Sequence, residues 1–87
     1  MAKGEWLIDF GEIKTMGEYR AIEKSWNEAI TKSDYDALNA IMAMRIKSWE
    51  YDANPGDVKN YDLLMPSQWR EARVKVRDAL LNLFLNT

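Results

Sequence analysis

The chain carries one strong break, Asn54-Pro55-Gly56-Asp57, and that break constrains the fold more than any other feature. Proline lacks the amide hydrogen that a helix ladder uses, the residue before it is pushed away from helical backbone, and Asn and Gly favour turns. Regular structure must therefore form on either side of it. A chain of 87 residues has room for one core, and four Trp, four Tyr and two Phe supply large side chains to fill it. No internal repeat or flexible linker divides it further, so residues 1–87 read as a single domain.

Before the break, Thr15 and Glu18 have the spacing of a capping box, in which each side chain satisfies an otherwise unpaired amide at a helix start. Tyr19, Ile22, Trp26, Ala29 and Ile30 then recur at steps of three and four, which predicts a first helix from Thr15 to about Lys32. Ser33 or Asp34 can cap a second helix almost at once, with Asp34 and Asp36 at the positive end of its dipole. Tyr35, Leu38, Ile41, Met42, Ile46 and Trp49 give it an apolar face out to about Trp49. So short a connection predicts an antiparallel pair. After the break, Pro66 suits the first position of a third helix, expected to run to about Leu85. Trp69, Ala72, Val76, Ala79, Leu80, Leu83 and Phe84 make its main face, and Val74, Leu81 and Leu85 a second stripe. The expected core centres on Trp26, Ile41, Trp49, Trp69, Val76 and Leu80, with Trp49 as an anchor at the end of helix two.

Residues 1–14 read differently. Trp6, Ile8 and Phe10 alternate with Leu7 and Asp9, the period of an extended segment, and no convincing second strand accompanies them. The arm has three options: to lie across the helices, to pair near Val58 to Tyr61, or to add to a partner's sheet edge. The fold class expected is all-α, a three-helix bundle over 15–87 with an extended N-terminal arm.

Composition limits the chemistry. There is no Cys and no His, which removes thiolates, disulfides and the commonest general base and metal ligand. Carboxylate pairs such as Asp34 with Asp36 or Asp9 with Glu12 have no neighbouring nucleophile or phosphate loop, and no acidic run has the spacing of a calcium loop. The expectation is a non-enzymatic protein without cofactor, metal or catalytic residue. No apolar run approaches a membrane span, and the first residues lack the apolar stretch of a signal peptide, so a cytoplasmic protein without membrane contact is expected. The net charge is −2. Arg70, Arg73 and Arg77 form the only basic stripe, with Glu71 and Asp78 beside it. It reads as solvated helix surface, with an acidic protein surface or nucleic acid as its alternatives; nucleic acid is not the partner expected.

Three segments carry a resemblance: FGEIKTMGEYRAIEKSW (10–26), DYDALNAIMAMRIKSWEYD (34–52) and LLMPSQWREARVKVRDALLNLF (63–84). Together they resemble the small tail assembly chaperones of long-tailed bacteriophages. The places that carry the likeness are Thr15, Gly17, Glu18 and Tyr19, then Ser48, Trp49, Asp52 and Gly56, then Leu64, Pro66 and Trp69. The resemblance implies a mostly helical, non-enzymatic protein of the host cytoplasm that binds the tape measure protein during tail assembly, with homo-oligomers possible. A structural component of the phage particle and a general helical adaptor are the other readings. Apolar groups beyond the needs of one core, Trp6, Ile8 and Phe10 on the arm and Val74, Leu81 and Leu85 on the last helix, are the expected partner-binding residues.

Overall fold

Helix α1, Met16–Thr31, begins where the capping box requires. In the computed structural model, which describes residues 5–85, the Thr15 hydroxyl accepts from the Glu18 amide at 3.1 Å. The Glu18 carboxylate reaches one residue further back than the motif predicts and accepts from the Lys14 amide at 2.8 Å. The helix ends in a Schellman turn: the Ser33 amide donates to the Ile30 carbonyl at 3.1 Å and the Asp34 amide to the Ala29 carbonyl at 2.9 Å, around Ser33 at φ 52°. Asp34 then caps α2, Tyr35–Arg45, through the Ala37 amide at 3.1 Å. One residue thus closes α1 and opens α2, which makes the connection as short as expected and packs the two helices together.

Helix α2 stops four residues before the expected Trp49. In a continuing helix the Arg45 carbonyl would accept from the Trp49 amide. Here it accepts instead from the Asp9 amide, at 2.8 Å. The backbone turns extended at Ile46, and Ile46–Ser48 forms strand β2. Its partner is β1, Leu7–Ile8, running antiparallel with Leu7 opposite Ser48, Ile8 opposite Ile46 and an irregularity between them. The mostly helical expectation holds, with three helices dominating the described residues, but the fold is not purely all-α: a two-strand sheet joins the arm to the end of α2. Of the three options for the arm, none named this pairing.

A two-strand ribbon is marginal alone in water, so its anchoring matters. Phe10 is buried, and Trp6 and Ile8 pack against the same core. The Arg45 guanidinium lies over the Phe10 ring, 5.4 Å from its centroid, and donates to the Phe10 carbonyl at 3.2 Å. Gly11, at φ 75°, turns the chain away with its amide donated to Asp9 at 2.7 Å, a backbone angle that glycine adopts without strain.

After the break, Asn54 ties the loop by accepting the Gly56 amide on its side chain and the Asn60 amide group on its carbonyl. A single 3-10 turn, Val58–Tyr61, buries Tyr61, whose hydroxyl donates to the Pro55 carbonyl at 2.7 Å. Helix α3, Pro66–Leu85, begins at the proline, with the Met65 amide donated to the Gln68 side chain at 2.9 Å.

The core gathers residues from every element. Trp26, Trp49, Val76 and Leu80 are buried as expected, while Ile41 and Trp69 are half-buried. Tyr35, expected inside, is 61 % exposed, with its ring set edge to face against the half-buried Trp69. Trp49 is an anchor, though from the segment after β2 and not from a helix end. Its ring meets Tyr61 at 4.9 Å, Tyr51 at 5.2 Å and Trp6 at 6.5 Å, and its indole N–H donates to the Ala53 carbonyl at 2.7 Å. Trp49→Ala and Phe10→Ala should each cost about 3 to 5 kcal/mol, the range for deleting a large buried aromatic. Urea unfolding followed by far-ultraviolet circular dichroism checks this, and a midpoint unchanged in either variant contradicts the packing described.

Candidate partner-binding surface

Helix α3 outruns its own core. Ala72, Val76 and Leu80 are buried at steps of four and Leu83 is half-buried against the core, but three apolar side chains beyond Leu80 turn outward: Leu81 is 48 % exposed, Phe84 49 % and Leu85 72 %. Only the ring of Phe84 leans back, lying 5.4 Å from Tyr19 of α1. Phe84 was expected on the buried face; near the helix end the facing layer has thinned to the first turn of α1, and half the ring stays in water. Met16, 54 % exposed, stands at that first turn. Between them lies a mostly apolar hollow of about 240 Å³, lined by Ile13, Met16, Tyr19, Leu83 and Phe84 together with Lys14 and Thr15. Contiguous exposed apolar groups of this kind mark interaction surfaces more often than isolated ones do.

The sequence-predicted contact residues divide between this surface and the interior. Leu81 and Leu85 lie on it, and Val74 is half-buried further back along α3. Trp6 and Ile8 are half-buried against the core, and Phe10 is 7 % exposed. The arm's alternating face is therefore absorbed by the chain's own core, and Phe10, expected at a partner surface, is corrected to a core residue. Leu7, on the opposite face of β1, is the exposed one, at 57 %. Sequence reasoning did not single out Met16 for the surface, although its place in the first turn beside the helix cap was the available signal.

A polar cluster flanks the arm on the other side. Lys75 sits over the Trp6 ring, 5.7 Å from its centroid, and Trp6 stands edge-on to Tyr51 at 5.6 Å. The Tyr51 hydroxyl donates to the Glu71 carboxylate. Burial, and then the hydrogen bond and charge of Glu71, push the Tyr51 hydroxyl well above its ordinary value. The neighbouring Glu71, first by side-chain hydrogen bonding and, alongside desolvation, by repulsion, holds the Glu50 carboxyl above its ordinary value. Glu71 is held below, first by the Tyr51 hydroxyl and next by Glu50. The two neighbouring carboxyls are thus shifted in opposite directions.

The basic stripe is divided. Arg77 pairs with its neighbour Asp78 at 3.2 Å, whereas Arg70 and Arg73 line a cleft near the start of α3. Among the described residues, no group of three or more acidic side chains is placed to hold a metal, and no helix is long and apolar enough to cross a membrane. Comparisons with protein-family models, with curated proteins and with solved structures find no match to this chain.

The carboxyl pair gives a signed pH prediction. Glu50, raised on folding, contributes stability below its unfolded value and loses it as pH climbs through the folded one. Glu71, lowered, contributes above its unfolded value and loses it as pH falls through the folded one. Carbon-detected NMR titration should find Glu50 titrating above and Glu71 below the usual glutamate range, with Glu71→Ala returning Glu50 toward it. Two ordinary titrations would contradict the opposed shifts.

Proposed function

We propose that this protein is a non-enzymatic tail assembly chaperone of a long-tailed bacteriophage, working in the host cytoplasm by covering an apolar stripe of the tape measure protein. The resemblance of residues 10–26, 34–52 and 63–84 to that group suggests the class. The observation that carries the mode of binding is the outward-turned end of α3, where Leu81, Phe84 and Leu85 are each roughly half exposed or more and Phe84 lines an apolar hollow. A long amphipathic helical client needs its apolar stripe shielded from water until the tail tube forms, and a helix end with a hollow beside it can accept such a stripe. No catalytic group is required for that task. Homo-oligomers formed through the same surface would compete with the client, since both would bury the same leucines.

This reading relocates the contact. Trp6, Ile8 and Phe10 serve it indirectly, by closing the core on which α3 rests, and Leu81 and Leu85, with Val74 at the margin, carry the contact itself.

Coexpression with the tape measure protein of the same phage should raise that protein's soluble fraction, and the two should copurify. Leu81→Ser with Leu85→Ser should reduce the copurified yield at least several-fold while the melting temperature stays within a few degrees of the parent, because exposed side chains contribute little to the core. A protein found stoichiometrically in finished particles, with no effect on tape measure solubility, would make the structural-component reading the correct one.

A further inference from the structure

The opposite end of α3 holds a different kind of site. A cleft of about 590 Å³ opens between the α1–α2 turn, the residues after the 3-10 turn and the first turns of α3. Tyr35 and Trp69 line it, their rings edge to face at 5.5 Å. Its floor is polar and hydrogen-bonded. Asn39, 1 % exposed, accepts from the Trp69 indole N–H at 2.7 Å and donates to the Asp62 carboxylate at 3.1 Å. Arg70 and Arg73 line the same cleft, and among the described residues neither forms an ion pair. The Nε of Arg73 is shut off from water and has no hydrogen-bond partner. A guanidinium N–H in that state is costly, and a turn of the half-buried Arg73 side chain that brings Nε to an acceptor in the cleft relieves the cost.

We propose that this cleft is a second binding site, one that takes an acidic protein segment presenting a side-chain carboxylate next to an apolar side chain. The guanidinium fork matches a planar carboxylate in shape and charge, and Nε, once turned toward the cleft, supplies a donor that no described residue uses. The adjoining Tyr35 and Trp69 rings give an apolar neighbour somewhere to lie. A phosphate fits less well, because the Asp62 carboxylate in the same cleft repels a doubly charged group more strongly than a singly charged one. The breadth of the opening suits side chains delivered by an extended partner better than it suits an enclosed small molecule. Arg70 lies some 15 residues before Leu85 on α3, roughly 20 Å along the helix axis, so the cleft is separate from the apolar surface at its end and does not depend on it.

The full-length protein, labelled with nitrogen-15, can be titrated with the capped peptide acetyl-Glu-Leu-Phe-Glu-amide, with its Gln-for-Glu counterpart, and with inorganic phosphate. The signals to follow are the Trp69 indole N–H and the Arg73 Nε–H. The acidic peptide should shift both saturably and bind about tenfold or more tightly than the Gln peptide, a difference near 1.4 kcal/mol. Arg70→Gln, at an exposed position, should remove most of that preference, and so should Arg73→Lys, which keeps the charge but removes Nε. Leu81→Ser with Leu85→Ser should leave peptide binding unchanged, which separates this site from the chaperone surface. Equal affinity for the two peptides, saturable binding of phosphate at the same signals, or undiminished preference in Arg73→Lys would each overturn the proposal, as would the absence of any shift.

Discussion

One hydrogen bond, from the Asp9 amide to the Arg45 carbonyl at 2.8 Å, decides how the two halves of the molecule meet. By claiming the acceptor that the next turn of α2 would use, it ends that helix and lets Ile46–Ser48 become a strand. Ile46 and Trp49 then enter the core from an extended segment, which brings Trp49 against Tyr51, Tyr61 and Trp6 at once. Arg45 reinforces the same junction from its side chain, over the ring and onto the carbonyl of Phe10. Losing the arm would therefore remove more than a short ribbon. It would strip one wall from the aromatic cluster and free α2 to run on toward a proline it cannot pass.

The helix starts were legible because their causes are local. Thr15 with Glu18, Asp34, and Pro66 each act on amides within a few residues, so spacing alone reveals them. The end of α2 was not legible, since Ile46 and Trp49 stand three apart and continue a helical stripe as well as they fit a strand. What separates the two is a partner nearly forty residues earlier in the chain, and single-sequence periodicity carries no record of that pairing. The arm shows the same limit in another form. Alternation correctly grouped Trp6, Ile8 and Phe10 on one face, but it cannot say whether that face meets the chain's own core or another molecule.

Of the candidate surface, Leu81 and Leu85 were visible as a stripe displaced from the main face of α3. Phe84 was misjudged because helical spacing places a side chain on a face without saying how far along that face the neighbouring helix reaches. Asn39 and Tyr61 were missed altogether. A lone amide among apolar residues reads as surface until the Trp69 indole and Asp62 are seen to hold it, and Tyr61 belongs to a loop with no period to betray its burial. Helix α3 consequently presents an apolar end and a polar, arginine-lined beginning, while its middle is spent on the core. Such a division leaves both ends of one helix open for the proposed contacts without exposing the residues that keep the domain folded.

Amide hydrogen exchange tests the central claim, that the arm belongs to the core and α3 supplies the contact. The Asp9 amide and its neighbours in β1 and β2 should already be protected in the free protein, and binding of the tape measure protein should slow exchange across residues 81–85 while leaving the arm unchanged. An arm that exchanges freely in the unbound protein and gains protection only in the complex would contradict the account.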